Sequence, residues 1–485
     1  MAASEKVLIV FLPTPGIGHL ISIVEAARRL LEYQPHFSAL VLTMAHPVAT
    51  AWRSTVDAYV DSVRRVSTSS GLDISFEELP SVEGPPFKED MRGETFISLL
   101  VECGKPHFKA AIGRRAHVAA VVVDLFCTTM IDVADELGLP SYIFFTSTAA
   151  LIGLMLHMPA LELAYPAEMT EVEGNIVFPG FRHTMPPHFM PSFMMDKKNE
   201  AYRWLVHHGR QFPRAKGIIA NTFAALEPGP LRALEDGLYL ADRPTPPVYS
   251  IGPVISLEKK EGVGRECLAW LDGQPPSSVV YICFGSMGRF SAEQTREIAV
   301  GLERSGHRFL WALRSPSHSR FRETSEMNLE EILPEGFLER MKGRGMVWPA
   351  WAPQADVLGH PATGGFVTHC GWNSCLESLW FGVPMLAWPL YAEQHLNAFE
   401  MAREMGVAVG ELGVAGGLVS GEEVERGVRL LMGEEGRKAR CRAEEMKAEG
   451  RRALEAAGGS SFASMTRLAG DILSRQPPPS ASSSQ

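Results

Sequence analysis

The sequence is short of cysteine, of clustered basic charge and of unbroken apolar segments, and each shortage removes a class of function. Seven cysteines in 485 residues, at positions 103, 127, 267, 283, 370, 375 and 441, are odd in number, widely spaced and without a C-x-x-C pair. That spacing suggests neither a disulfide framework nor a zinc site, and it suits a reducing, cytoplasmic compartment. Lys and Arg (46) are outnumbered by Asp and Glu (56), the formal charge is −10 and no basic stripe is present, which argues against nucleic acid as a partner. Near the N-terminus the apolar run from Val7 to Leu12 is cut by Pro13, Pro15 and Gly16, too short for a signal-peptide core. One stretch, Leu139 to Leu161, is long enough to suggest a membrane span. Pro140, serines and threonines break it up, and it reads as a buried strand Ser141 to Phe145, a cap region Thr146-Ser147-Thr148 and an apolar helix through His157. No membrane span is expected.

What is present is ample apolar material in a repeating order. Hydrophobic residues make up 46% of a chain too long for one ordinary core of about 100 to 200 residues, so two or three domains are expected. Apolar runs of strand length at Lys6 to Leu12, Phe37 to Met44, around Ser75, Val118 to Val123 and Gly217 to Asn221 alternate with helical patterns. Those patterns cover His19 to Leu31, Ala51 to Val63 and Phe96 to Ile112. Such alternation predicts a parallel sheet with helices on both faces. Breakers at Glu227 to Pro230 and Asp242 to Pro247, followed by Val248 to Pro253 and a polar stretch to Gly264, read as an interdomain linker. The alternation then restarts: strand Val279 to Phe284, glycine loop Gly285 to Gly288, helix Ala292 to Arg304, strand Arg308 to Leu313, a polar loop Arg314 to Leu329 and Met346 to Trp348. Helices are expected at His395 to Met405, Gly421 to Met432, Glu434 to Leu454 and Ser461 to Ser474, and the tail 476–485 reads as disordered.

The stretch from Trp351 to Gln394 carries most of the functional signal. Its run Gly364 to Cys370 reads as a strand that turns at Gly371 into a helix over Cys375 to Phe381. Ser374 and Glu377 have capping-box spacing, Gly382 suits a helix C-terminus and Pro384 forbids continuation. Free N–H groups at such a helix start attract anions, phosphate above all. Taken singly, Trp351, Trp372 and Glu377 each read first as core or capping residues, and His369 reads as well as a satisfied core histidine. Together they resemble the plant secondary product glycosyltransferase signature, the donor-binding box of the plant family 1 UDP-dependent glycosyltransferases. By position, the resemblance implies that Trp351 stacks on the uracil, with Ala352 also in the donor-binding set. Gln354 and Glu377 would hold the ribose, while His369, Asn373 and Ser374, with Ser286 from the glycine loop, would hold the diphosphate. Trp372, Glu393 and Gln394 would face the sugar. The residue chemistry agrees: an indole offers a flat apolar face, a carboxylate accepts from vicinal hydroxyls, and imidazole and helix N–H groups meet a diphosphate.

His19 and Asp124 each follow a predicted parallel strand and so fall on one sheet rim, where ligands bind in open α/β sheets. The loop before His19 has Gly16 and Gly18, but Ile21 stands where G-x-G-x-x-G needs its third glycine, so a dinucleotide fingerprint is a weak reading. Alone, His19 reads as structural and Asp124 as a cap. The resemblance instead makes His19 the general base and Asp124 its orienting carboxylate. A sugar or phenol hydroxyl needs its proton removed as it attacks, and an imidazole held by a buried carboxylate can do that.

The expected fold is therefore α/β, two facing doubly wound Rossmann-like domains of the GT-B type. The acceptor domain would span 1–247 and the UDP-sugar domain 248–460, with a helix over 461–475 packing back on the first domain. The implied activity is inverting transfer of a sugar from a UDP-sugar to a hydroxyl of a small lipophilic acceptor such as a flavonoid, phenol or terpenoid. Gln394 and Trp372 favour UDP-glucose by analogy, while Glu393 stands where many relatives have aspartate. No cofactor or metal is expected, and no Asp-x-Asp pair occurs; the chain is expected to be monomeric. The Met-, Phe- and Pro-rich segment between Ile176 and Glu200 reads either as a loop shaping an apolar pocket or as an irregular segment packed on the domain. Phe126, Met185, Phe189 and Phe193 are the candidate acceptor contacts. Alternatives are transfer to carbon, a nucleotide-sugar-binding protein without catalysis, and a thiol hydrolase built on Cys370. The last is disfavoured because neighbours in a strand point to opposite faces.

Overall fold

The alternating apolar runs form two all-parallel sheets. The computed structural model describes residues 6–475 except 46–50, 87–90, 166, 258–263, 315–327 and 414–415. Most of the polar loop expected after Arg314, part of the linker and the whole tail lie outside the described residues. The first sheet contains β1 (Val7–Leu12), β2 (Phe37–Thr43), β3 (Ile74–Glu78), β4 (Val118–Asp124), β5 (Ser141–Phe145), β6 (Gly217–Ala220) and β7 (Val248–Ser250), in the order β3-β2-β1-β4-β5-β6-β7. The second contains β8 (Val279–Cys283), β9 (Arg308–Ala312), β10 (Gly345–Trp348), β11 (Thr363–Thr368), β12 (Met385–Ala387) and β13 (Ala408–Glu411), in the order β10-β9-β8-β11-β12-β13.

Both sheets are covered on both faces, as continuous apolar strands require. Side chains alternate along each strand, so Ile9, Phe11, Ala120 and Val122 join one apolar cluster and Val10, Leu12, Val121 and Val123 the other. In the second sheet Tyr281 and Phe366 lie in one cluster, Ile282 and Val367 in its counterpart. The apolar helix Ala149–Ala164 is buried around nearly its whole girth and continues past His157 through Pro159. Thr148 caps it by accepting from the Leu151 N–H at 3.0 Å. Among the described residues no helix is long and apolar enough to cross a membrane.

Val248–Ser250 is not linker. It pairs with β6 as the edge strand of the first sheet, so that sheet ends beyond the boundary expected at 247. Three residues between prolines and a polar stretch give too short a pattern to separate strand from loop. The helix Ser460–Ser474 places Met465, Leu468 and Ile472 in the cluster that covers β1, and Asp471 accepts from the Tyr142 hydroxyl at 2.6 Å.

The two halves meet along a seam of specific contacts. Ser192 N–H donates to the Ala392 carbonyl at 2.8 Å, and the Trp372 indole N–H donates to the Asn221 carbonyl at 2.7 Å. Glu404 accepts from the backbone N–H groups of Arg182 and His183 at 3.0 and 2.9 Å. The seam also buries Glu227 and Glu400, and burial first of all pushes both carboxyls above their ordinary range.

Candidate active site

Each sheet reverses its strand order once, between β1 and β4 in the first and between β8 and β11 in the second. The crevice beyond the carboxyl ends of the strands at such a switch point is where open α/β sheets bind ligands. His19 follows β1 and Asp124 ends β4; Ser286 follows β8 and His369 follows β11. The sequence-predicted residues thus fall on the two switch points. The two rims face one another, because Ser22 donates its hydroxyl to Asn373 Oδ1 at 3.1 Å across 351 positions of chain.

On the first rim, His19 Nδ1 lies 2.9 Å from Asp124 Oδ2, and Thr146 Oγ1 is 3.4 Å from the same nitrogen. Burial works against a charged imidazole, but the Asp124 charge and hydrogen bond, helped by the Glu393 charge, outweigh it and hold the His19 pKa above its ordinary value. Asp124 is fully buried. Its Oδ1 accepts from the Thr14 hydroxyl at 2.5 Å and from the Phe126 N–H at 3.4 Å, the latter opening a short 3-10 turn. Asp124 therefore both caps this turn and hydrogen-bonds His19. Phe126 presents its ring edge-on to His19, centroids 6.1 Å apart, and to His208, 5.9 Å. His208 is buried behind it, bonded to Thr128 at 2.7 Å and Ser98 at 3.0 Å, and burial drives its pKa down to about 3.

On the second rim, His369 is buried and has no charge partner; burial lowers its pKa to about 4, so it is neutral at physiological pH. Its Nδ1 has no hydrogen-bond partner among the described residues. The ring is cradled by two glycines: a Cβ on Gly285, which has φ +71°, would fall 2.6 Å from His369 Nε2, and one on Gly371 would fall 2.5 Å from it. The following helix spans Trp372–Phe381 with Gly371 at its N-cap. The expected capping box is absent there: Ser374 lies inside the first turn, and Glu377 is used elsewhere. Gln354 bridges the two, its Nε2 donating to Ser374 Oγ at 2.9 Å and to Glu377 Oε2 at 2.6 Å. Burial pushes the Glu377 pKa to about 7, with the Gln354 hydrogen bond as a partial offset. Gly382 closes the helix in the left-handed region, φ 74°, as its position predicts.

Trp351 is 48% exposed, a flat surface beside the rim with the Arg314 guanidinium 5.5 Å from its ring centroid. Ala352 is buried in the second sheet's apolar cluster, and Ser286 is exposed. The Trp372 indole is 2% exposed, packed in the second core, and its N–H donates to the Asn221 carbonyl. Gln394 is buried, and its Oε1 accepts from the N–H groups of Leu390 and Tyr391 at 2.9 and 3.1 Å, which fixes the loop it follows. Glu393 reaches back across the seam, accepting from the Ser147 hydroxyl at 3.2 Å, and burial raises its pKa.

The apolar candidates divide. Phe126 touches the His19 ring, whereas Met185, Phe189 and Phe193 are at most 6% exposed within the first domain's apolar cluster. Of the two readings of this segment, the packing favours an irregular segment on the domain, with Phe189 5.2 Å from Phe399 of the second domain. Phe189 also edges a cavity lined by His188, Arg403 and Leu418, which contains neither histidine of the two rims. The disfavoured thiol alternative gains no support: Cys370 is buried, φ +64°, with its Sγ donating to the Thr368 carbonyl at 3.6 Å. Sequence reading missed Thr14, Ser22, Ser147 and His208, whose roles come from pairings 80 to 351 positions away and leave no local pattern. Among the described residues no group of three or more His, Cys, Asp or Glu side chains is placed to hold a metal ion.

Comparison with known proteins returns one consistent picture. Residues 240–438 match the family model described as UDP-glucoronosyl and UDP-glucosyl transferase. A malvidin galactosylase of Oryza sativa subsp. japonica is 46% identical, the match covering 97% of this chain and 98% of that protein. A UDP-glucosyltransferase from Polygonum tinctorium capable of glucosylating indoxyl superposes with a TM-score of 0.86 at 37% identity, covering 98% of this chain and 100% of that one. A transferase from Siraitia grosvenorii solved in complex with UDP gives 0.82 at 40% identity, covering 96% and 100%.

Proposed function

The chain belongs to the plant UDP-glycosyltransferases of the GT-B fold, and from that premise we propose that it transfers glucose from UDP-glucose, with inversion, to a hydroxyl of a flat aromatic acceptor of the flavonoid or phenol class. The observation that carries the reading is the His19–Asp124 pair at 2.9 Å, on a rim tied by Ser22 to the start of the helix Trp372–Phe381.

With Nδ1 committed to Asp124, Nε2 of His19 is the nitrogen left to take the acceptor proton. The acceptor oxygen forms its bond to the anomeric carbon as the bond to the UDP oxygen breaks on the opposite face, and His19 ends as an imidazolium stabilised by Asp124. The departing diphosphate would be met by His369, Asn373, Ser374, Ser286 and the backbone N–H groups at the helix start. Trp351 would stack the uracil beside Ala352, Gln354 and Glu377 would receive the ribose hydroxyls, and Glu393 and Gln394 would receive those of the sugar. Phe126 is the proposed acceptor contact. With those groups to neutralise the leaving diphosphate, transfer is expected to continue in the presence of a chelator.

Glucose is the finer part of the proposal, since the rice relative is named as a galactosylase. Incubating the enzyme with UDP-glucose or UDP-galactose and a panel of flavonoids, simple phenols and terpenoid alcohols, with products identified by mass spectrometry, tests donor and acceptor together. O-glucosides made by the wild type and lost in His19→Ala are the expected result. Products from UDP-galactose alone would overturn the donor, and full activity in His19→Ala would overturn the base.

A further inference from the structure

The loop that delivers His19 also delivers a second group to the same centre. Thr14, five positions earlier, is 0% exposed, and its hydroxyl donates to Asp124 Oδ1 at 2.5 Å while Oδ2 of that carboxylate meets His19 Nδ1 at 2.9 Å. We propose that Thr14 is a positioning residue for the transfer reaction, clamping one oxygen of Asp124 so that the other is held on the base. The proposal rests on the reading of His19 as that base.

A carboxylate rotates about its last torsion in a broad, roughly two-fold well, so one contact to His19 does not fix its plane. Among the described residues the other donor to Oδ1 is the Phe126 N–H at 3.4 Å, long for a hydrogen bond to a charged oxygen. The site is buried, so a lost donor is not replaced by solvent. Cys127, whose Sγ is 3.8 Å from Thr14 Oγ1, is a poor substitute: burial, then the Asp124 charge, hold its thiol well above its ordinary pKa, and a thiol is a weak donor. Among the described residues the charged groups acting on His19 are Asp124 from β4 and Glu393 from the second domain, and the Thr146 hydroxyl and the Phe126 ring also face it. Among the described residues the Thr14 hydroxyl pairs with Asp124 and Cys127, and of these Asp124 is the one bonded to His19, so its influence on the imidazole passes through the carboxylate.

Thr14→Val, which keeps the shape and removes the donor, separates this role from packing. Transfer from UDP-glucose should fall about tenfold to a hundredfold, the size of one hydrogen bond to a buried charge. The titration midpoint of His19, followed by its Cε1–H resonance in the full chain, should move down, because a loosened carboxylate supports the imidazolium less. Thr14→Ser should recover both, and UDP binding by calorimetry should stay within about twofold in each variant, reporting an intact fold. Wild-type transfer and midpoint in Thr14→Val would overturn the proposal. So would equal losses in Thr14→Val and Thr14→Ser with the midpoint unmoved, which is the signature of packing alone. If Thr14→Val fails to bind UDP, Thr14→Ala decides on the same two readouts. Full activity in His19→Ala removes the base reading, while the midpoint shift in Thr14→Val still reports whether the clamp exists.

Discussion

Two histidines hold matching places in the two halves of this molecule, and their surroundings make them opposites. Each follows a central strand at the switch point of its sheet, β1 for His19 and β11 for His369. His19 keeps partial access to solvent and gains a buried carboxylate, so its proton affinity rises. His369 gains burial and two close glycines but no charge, so its pKa drops to about 4. In the proposed mechanism the group that would accept the proton is strengthened as a base, and the one that would hydrogen-bond the diphosphate is kept neutral. Position in the fold brings both residues to the crevice, but only the partner decides what each does there.

The largest expected effect breaks the contrast on its reactive side. His19→Ala should lower kcat by roughly a thousandfold, within the range of a lost general base, while calorimetry finds UDP affinity within about twofold of wild type. Asp124→Asn should cost roughly a hundredfold or more and shift the acid limb of the kcat/KM profile to lower pH, because the charge that raises the His19 pKa is gone. An unshifted limb would mean that Asp124 does not set the proton affinity of the base.

On the donor side, Glu377→Gln should raise the KM for UDP-glucose about tenfold. In the wild type that KM should fall as pH rises through about 7, where the Glu377 carboxyl ionises and becomes an acceptor for ribose hydroxyls. The variant should show no such step.

The smallest effect is on stability, and its sign differs between the two residues. The folded pKa of His369 lies below that of the unfolded chain, so the unfolded state takes up more protons between about pH 4 and 6.5 and stability falls as pH drops through that window. The folded pKa of His19 is raised, so its contribution is present below about 6.5 and is lost as pH rises through the folded value. Thermal melts of His369→Gln at pH 5 and 8 should therefore show less acid destabilisation than wild type. His19→Gln should lose relative stability at pH 5 and not at pH 8.

Much of this was legible in the sequence, for reasons that also explain what was not. Runs such as Val118 to Val123 and Val279 to Phe284 are long, apolar on both faces and bounded by clear breakers, so the βα alternation could be read directly. β7, β12 and β13 have only three or four residues each, and no periodicity survives at that length. His19, Asp124 and the residues from Trp351 to Gln394 were marked by strand ends and by family resemblance. The fate of Trp372, however, turns on the Asn221 carbonyl, 151 positions away. The same holds for Ser374 and Glu377: S-x-x-E spacing predicts a cap, but the helix starts earlier and Gln354 claims both side chains. Met185, Phe189 and Phe193 have the composition of a pocket and the burial of a core, a distinction that lies in packing alone.

The most direct test of the opposed histidines is a pH titration of the imidazole Cε1–H resonances in the full protein, assigned by their loss in His19→Ala and His369→Ala. The His19 signal should titrate above its ordinary midpoint of about 6.5, and the His369 signal should stay at its neutral position down to about pH 4. A His369 that titrates with or above His19 would contradict the division of roles.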